Sequence, residues 1–320
     1  MNQSTRRDFL KRAGSSAAAL AVGAMALPAA SASERKVHES MRFAICNETF
    51  FDLKWSQAKV FQFAAECGYE GVEIAPFTIN TDVTKITSSE RATLRKDAAA
   101  AGVEICGLHW ILSKTEGGYN LTSPDKEVRA KTSKYLGELA RFCADLGGDV
   151  MIFGSPMQRN RPDEVTKTIS MVEAYRNATE TLAAVVPTLE ATGVTIAMEP
   201  LSTWETNFLL TSDDTVRLAK MVDSPWVKMM LDCKAMWAME PWPIPDVIRR
   251  QRNSFIHFHA NDPNLQGPGF GELDFVPIFA ALKEVDFKRW VSVEVFDYTP
   301  GPERLAIESI KYMKQCLARA

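Results

Sequence analysis

The 320-residue chain lacks most of what would tie it to nucleic acid, to a disulfide framework or to a membrane core. Its 37 Lys and Arg stand against 40 Asp and Glu, for a net charge of −3, and no basic run lies beyond the extreme N-terminus. The charge footprint that a phosphate backbone selects is therefore missing. The six cysteines are scattered and show no CxxC spacing. That excludes a disulfide framework and leaves buried thiols as the expectation. Long hydrophobic runs are missing as well. The stretch Ala13–Leu27 is only mildly apolar and rich in alanine and glycine, whereas a membrane span needs about 20 strongly apolar residues. No low-complexity linker divides the rest, and 46% hydrophobic with 24% charged residues fits one soluble globular unit.

What the N-terminus does contain is an address. Ser4-Thr5-Arg6-Arg7-Asp8-Phe9-Leu10-Lys11 resembles the twin-arginine export signal, and Ala30-Ser31-Ala32 supplies a small-residue cleavage site. Residues 1–32 are expected to be a signal peptide, 33–40 a short linker and 41–320 the catalytic domain. The mature protein would be periplasmic or otherwise exported, with no stable membrane span after cleavage. The twin-arginine route carries folded proteins, so the resemblance implies folding and metal loading before export.

Beyond the signal, short apolar runs alternate with amphipathic stretches. The candidate strands are Phe43–Thr49, Gly71–Ala75, Val103–Trp110, Asp149–Gly154, Val194–Met198, Val227–Leu231, Ser254–His259 and Trp290–Val295. Helix starts are marked by Thr87-Ser88-Ser89-Glu90, a capping box, and by Ser123-Pro124, a cap residue before a first-turn proline. Gly68, Gly102, Gly147 and Gly193 mark helix ends just before strands. Eight βα units in one domain predict a (β/α)8 TIM barrel. A doubly wound open sheet would want a Gly-rich first turn, and the first strand instead runs into Asn47-Glu48-Thr49-Phe50.

In such barrels chemistry sits at the C-terminal strand ends. Those ends carry Asn47, Glu48, Glu73, His109, Glu199, Asp232, His259 and Glu294. From Glu199 to Asp232, to His259 and to Glu294 the steps are 33, 27 and 35 residues. Each step is one βα unit, so these four residues end four successive strands. Three carboxylates converging without a cation would repel one another and shift upward in pKa. A divalent metal resolves the repulsion. Three oxygen donors and one imidazole suit Mn²⁺ first, with Co²⁺ or Mg²⁺ as alternatives, better than a closed zinc site. Ala197, Met230, His257 and Ser292, two residues earlier, point the same way. His257 is read as lying beneath the ligands rather than among them.

These pieces together resemble the xylose-isomerase-like barrels, which include ketose 3-epimerases, hydroxypyruvate isomerase, inosose dehydratase and the endonuclease IV group. The resemblance rests on Ala197-Met198-Glu199-Pro200, Met230-Leu231-Asp232, His257-Phe258-His259-Ala260-Asn261-Asp262, Gly267-Pro268-Gly269-Phe270-Gly271 and Ser292-Val293-Glu294, in this order and spacing. It implies that Glu199, Asp232, His259 and Glu294 bind the metal, and that Glu199 and Glu294 exchange the proton. Glu205 matches a glutamate that contacts substrate near the reacting carbons. Two positions depart from the epimerase pattern. Ala235 stands where a histidine is expected and Leu265 where an arginine is, and both would normally hold substrate oxygens. Lys234 and His109 are candidate replacements for substrate binding. Against that, Lys234 reads first as a solvated loop lysine, and His109, beside Trp110, equally as packing. Related barrels often pair, which leaves room for a homodimer. The endonuclease branch needs many more ligands for three zinc ions than four histidines in the chain provide.

The expected activity is that of a metal-dependent sugar isomerase or epimerase. It would act on a non-phosphorylated keto sugar, by proton transfer through a metal-stabilised enediolate. A lyase or hydratase acting on 3-keto-glycosides is the enzymatic alternative, and a non-catalytic periplasmic sugar-binding protein is the third reading. Trp110, Trp204, Trp237 and Trp242, near the strand-end loops, suit stacking on sugar faces.

Overall fold

The computed structural model describes residues 38–162 and 169–320. The twin-arginine motif, the expected cleavage site and most of the 33–40 linker lie outside the described residues. The eight strands are β1 (Arg42–Cys46), β2 (Gly71–Ile74), β3 (Glu104–Leu108), β4 (Val150–Phe153), β5 (Thr195–Met198), β6 (Val227–Asp232), β7 (Phe255–Ala260) and β8 (Trp290–Val293). Each pairs in parallel with its successor, and β8 closes on β1. The barrel and all eight strand positions agree with the sequence reading.

Five strands, β1 to β4 and β8, end one to three residues before their apolar runs do, whereas β5 ends as expected and β6 and β7 run one residue further. After β1 the chain coils into a 3-10 turn over Asn47–Leu53, and Asn47 Oδ1 accepts the Ala75 N–H beyond β2 at 2.8 Å. After β3, Trp110 takes a left-handed backbone conformation with φ 48°.

Helix punctuation follows the sequence with one correction. Thr87 and Glu90 form the reciprocal capping box of the helix Ser88–Ala101. The helix Lys126–Leu146 is capped by Asp125 and not by Ser123. Ser123 Oγ accepts the Asp125 N–H, and Asp125 Oδ1 accepts that of Glu127. The serine sets the turn, and the carboxylate beyond the proline does the capping. Gly68 and Gly102 end their helices in the left-handed region, at φ 93° and 82°, where a Cβ would be strained.

Outward residues such as Ile45, Ile74, Phe153, Ile196, Leu231 and Val293 pack with the helices in one large core. Each such side chain, fully buried, contributes about 1.5–3 kcal/mol of transfer free energy. Inside the barrel, Val150, Ile152, Ala197 and Met230 form a separate apolar cluster. At the closed end the Trp290 ring fills the space left by Gly71, where a Cβ would lie 2.7 Å from the ring. Above these layers the interior turns polar, with Glu73, His257 and Ser292 all buried. Among the described residues no helix is long and apolar enough to cross a membrane.

Candidate metal centre

Register brings the strand-end residues together. Asp232 on β6 stands opposite His259 on β7, and His259 stands opposite Ser292, two residues before Glu294. Glu199 follows β5 directly. Glu199, Asp232, His259 and Glu294 are all buried, and each offers a ligand atom within 4.8 Å of the others. His259 Nδ1 lies 3.0 Å from Glu294 Oε2 and 3.6 Å from Glu199 Oε1.

Neighbouring groups fix each carboxylate. Asp232 caps the short helix Cys233–Met239 by accepting the Ala235 N–H at 2.7 Å, and its other oxygen accepts Asn261 Nδ2 at 2.5 Å. Trp110 Nε1 donates to Glu294 Oε1 at 2.8 Å. Glu199 occupies the space that Gly154, after β4, leaves open; a Cβ there would lie 2.4 Å from Glu199 Oε2. Arg159, fully buried, donates to the carbonyls of Phe153, Gly154 and Glu199 and so ties the ends of β4 and β5.

The electrostatics suit a bound cation. Burial, followed by repulsion from Glu294, pushes Glu199 up to about 7. Burial likewise pushes Asp232 up to about 6 against the pull of Lys234. Burial also opposes ionisation of Glu294 and Glu73, but the histidines against them win and hold both below the usual carboxylate range. Three oxygen donors and an imidazole nitrogen, packed this closely with two carboxylates resisting ionisation, fit a divalent cation.

Two further polar pairs adjoin the cluster. His109 Nε2 and Glu48 Oε2 meet at 2.5 Å, with both residues buried. His109 is therefore a paired interior histidine. The open-loop reading of Lys234 needs correction. Lys234 is only 6% exposed. Its Nζ donates to Glu205 Oε1 at 2.6 Å and sits 4.1 Å above the Phe296 ring. Burial would drive an ammonium to neutrality, yet Asp232 and Glu205 outweigh it and raise the Lys234 value. Sequence position alone could not show this, because the partners come from the loops after β5 and β8.

A cavity of about 250 Å³ opens on the site. Trp110, Pro156, Leu201 and Phe296 form apolar walls, and Glu199, Glu205 and Glu294 form the polar floor. Of the four tryptophans read as sugar-stacking candidates, Trp110 lines this cavity. Trp204, Trp237 and Trp242 are exposed and absent from its walls. At the two departures the chain contributes backbone groups that a histidine or an arginine would supply equally. Ala235 supplies the N–H that orients Asp232, and the Leu265 carbonyl accepts the Phe296 and Asp297 N–H groups at 2.8 and 2.9 Å, shaping the wall. The sequence reading gave Glu73, Asn261, Arg159 and Phe296 no role in the site. Only Glu73 and Asn261 carried a signal, one as a polar strand end and the other inside a quoted motif.

The chain is 26% identical over 256 residues to a D-psicose 3-epimerase of Agrobacterium fabrum, covering 79% of this chain and 84% of that one. It is 21% identical over 279 residues to a 3-dehydro-D-guloside 4-epimerase of Escherichia coli, covering 86% and 100%. A crystal structure of D-psicose 3-epimerase in the presence of D-fructose superposes with a TM-score of 0.75 at 20% identity, covering 87% and 99%. A family model described as xylose isomerase-like TIM barrel matches residues 61–316, and the chain belongs to that family.

Proposed function

We propose that the protein is a divalent-metal-dependent sugar isomerase or epimerase acting on a non-phosphorylated keto sugar. The observation that carries this reading is the convergence of Glu199, Asp232, His259 and Glu294 at the floor of an aromatic-walled cavity. Glu199, Asp232, His259 and Glu294 would hold the ion, Mn²⁺ first among candidates. When bound, the ion would polarise the substrate carbonyl and offset the negative charge that develops as an α-proton leaves. Glu294, kept ionised by His259, is suited to accept that proton, and Glu199 to return one. Trp110 holds the Glu294 carboxylate in place and presents its ring to the sugar. Lys234, anchored by Glu205 on the cavity lining, keeps its charge under the influence of Asp232 and would supply a cation to a substrate oxygen. The relatives named as epimerases support the same class.

The apolar walls favour a second reading, in which the keto sugar is a glycoside whose aglycone lies against Trp110, Leu201 and Phe296. Loss of a β-substituent from the same carbanion would then make the enzyme a lyase. One experiment separates these readings. Keto sugars and keto-glycosides are incubated with the Mn²⁺-loaded protein in D2O and followed by NMR. Deuterium at the α-carbon with a new sugar signals the isomerase, and a released aglycone the lyase. No exchange into any substrate would leave a binding protein and overturn both.

Export through the twin-arginine route is part of the proposal, supported by Arg6-Arg7 and Ala30-Ser31-Ala32. Arg6→Lys with Arg7→Lys should leave uncleaved precursor in the cytoplasm. Mature protein beginning at Ser33 and exported at normal levels would count against it.

A further inference from the structure

Beneath the candidate ligands, a carboxylate on the far side of the barrel touches two histidines at once. Glu73 ends β2, whereas His257 and His259 lie on β7, and these strands do not pair with each other. Glu73 Oε2 lies 2.8 Å from His257 Nε2, and Glu73 Oε1 lies 3.3 Å from His259 Nε2. All three residues are fully buried. Each oxygen thus meets one ring nitrogen, and a carboxylate can only accept. Both Nε2 atoms must therefore carry protons. For His259 the consequence falls on the other nitrogen, since Nδ1 faces Glu294 and Glu199.

We propose that Glu73 is the positioning residue of the metal centre, bridging His257 and His259 so that His259 presents Nδ1, and only Nδ1, to the ion. This rests on the metal-site reading above. A ligating imidazole must offer a lone pair, and the nitrogen that keeps its proton decides which one is free. Glu73 is fully buried, does not line the cavity and acts through His259. His257 makes the arrangement demanding. Its Nδ1 has no hydrogen-bond partner, so moving its proton there would bury an unpaired donor. It therefore claims one Glu73 oxygen permanently and leaves exactly one for His259.

The rivalry between the two histidines supplies the test. In Glu73→Gln one oxygen and one amide N–H face the two rings. The oxygen goes to His257, and the amide N–H pushes the His259 proton onto Nδ1, where the ion should bind. Co²⁺ alone is the probe, with affinity from titration and coordination from its visible spectrum. Glu73→Gln should bind Co²⁺ about 10–100-fold more weakly than wild type. His257→Leu should bind it normally. The double variant Glu73→Gln with His257→Leu should recover most of the loss, because the amide oxygen is then free to serve His259. A residue with a merely structural role would make the double variant the worse one. Wild-type affinity and spectrum in Glu73→Gln, or no recovery in a folded double variant, would overturn the proposal. Should Glu73→Gln fail to fold, ¹⁵N-histidine NMR of the wild-type protein loaded with Mg²⁺ decides. Protons on Nε2 of both His257 and His259 are expected, and a bare Nε2 on either would overturn it. Asp232→Ala keeps the two readings apart. If it binds Co²⁺ as well as wild type does, the metal site itself has failed, and the role of Glu73 with it.

Discussion

At the scale of single residues, Glu199 and Glu294 are each assigned two tasks, holding the ion and moving a proton, and glutamine separates them. An amide still offers an oxygen but cannot accept a proton near neutrality. General acid–base catalysis is typically worth about 10²–10⁴-fold, so Glu199→Gln and Glu294→Gln should each lose that much turnover while retaining bound Mn²⁺. If the two act on opposite faces of the sugar, one variant keeps α-proton exchange with D2O without forming product, and the other loses both. The double variant should be little worse than the worse single, because the pair works as one unit. Losses below about tenfold in both singles, with Mn²⁺ bound, would place the base elsewhere, and the Glu48–His109 pair would be examined next. Lys234 answers a different question. Lys234→Met keeps the stem over Phe296 but removes the charge beside Glu205. It should lower turnover without loss of the ion, as measured by steady-state kinetics alongside metal content.

At the scale of elements, the site depends on what the strands leave out as well as on what they carry. Gly154, directly after β4, has an ordinary backbone conformation, so its role is space: a Cβ would lie 2.4 Å from Glu199 Oε2. Gly154→Ala should therefore displace the Glu199 carboxylate and weaken Mn²⁺ binding about tenfold or more, with little change in the fold seen by circular dichroism. Unchanged Mn²⁺ affinity would show that the β4 end yields and that Glu199 is not held tightly. The same scale shows what the sequence made legible. Strand order and the convergence of the four candidate ligands were readable because a parallel barrel repeats one unit. A polar residue at each apolar run's end then maps onto one rim. Burial of Lys234 was not readable, because its environment is built by Glu205 and Phe296 from two other loops. Glu73 was visible as a polar strand end, but its pairing with β7 depends on closure across the barrel, which no local pattern encodes. Asp125 took the cap expected of Ser123 because the turn through Pro124 advances the helix start by two residues.

At the scale of the whole molecule, the polar interior makes stability depend on pH in a direction opposite to that of a protein held by exposed carboxylate pairs. Burial raises Glu48, Glu199 to about 7 and Asp232 to about 6. Against burial, Glu48 raises His109, and Glu294 with Glu73 raises His259. A group whose value is higher folded than unfolded contributes stability that is fully present below its unfolded value, about 4 for carboxylates and 6.5 for histidine. That contribution is lost as pH rises through the folded value. Glu73 and Glu294 work the other way, but their contributions disappear only below the ordinary carboxylate range. Between pH 5 and 8, where Glu73 and Glu294 stay ionised in both states, His257, lowered by burial, is the one of these groups that opposes the trend. Chelated protein should therefore melt at lower temperature at pH 8 than at pH 5. Mn²⁺ would take the place of the protons on Glu199, Asp232 and His259 Nδ1, so its effect should grow over the same range. At a free concentration about 100 times its Kd, it adds about 2.7 kcal/mol. That corresponds to about 5–10 °C for a large single domain. Thermal unfolding with EDTA and with Mn²⁺ at pH 5, 6, 7 and 8 measures both trends. A chelated protein whose melting temperature rises with pH would show that these carboxylates ionise freely in the fold, and an Mn²⁺ shift equal at pH 5 and pH 8 would show that no proton leaves when the ion binds.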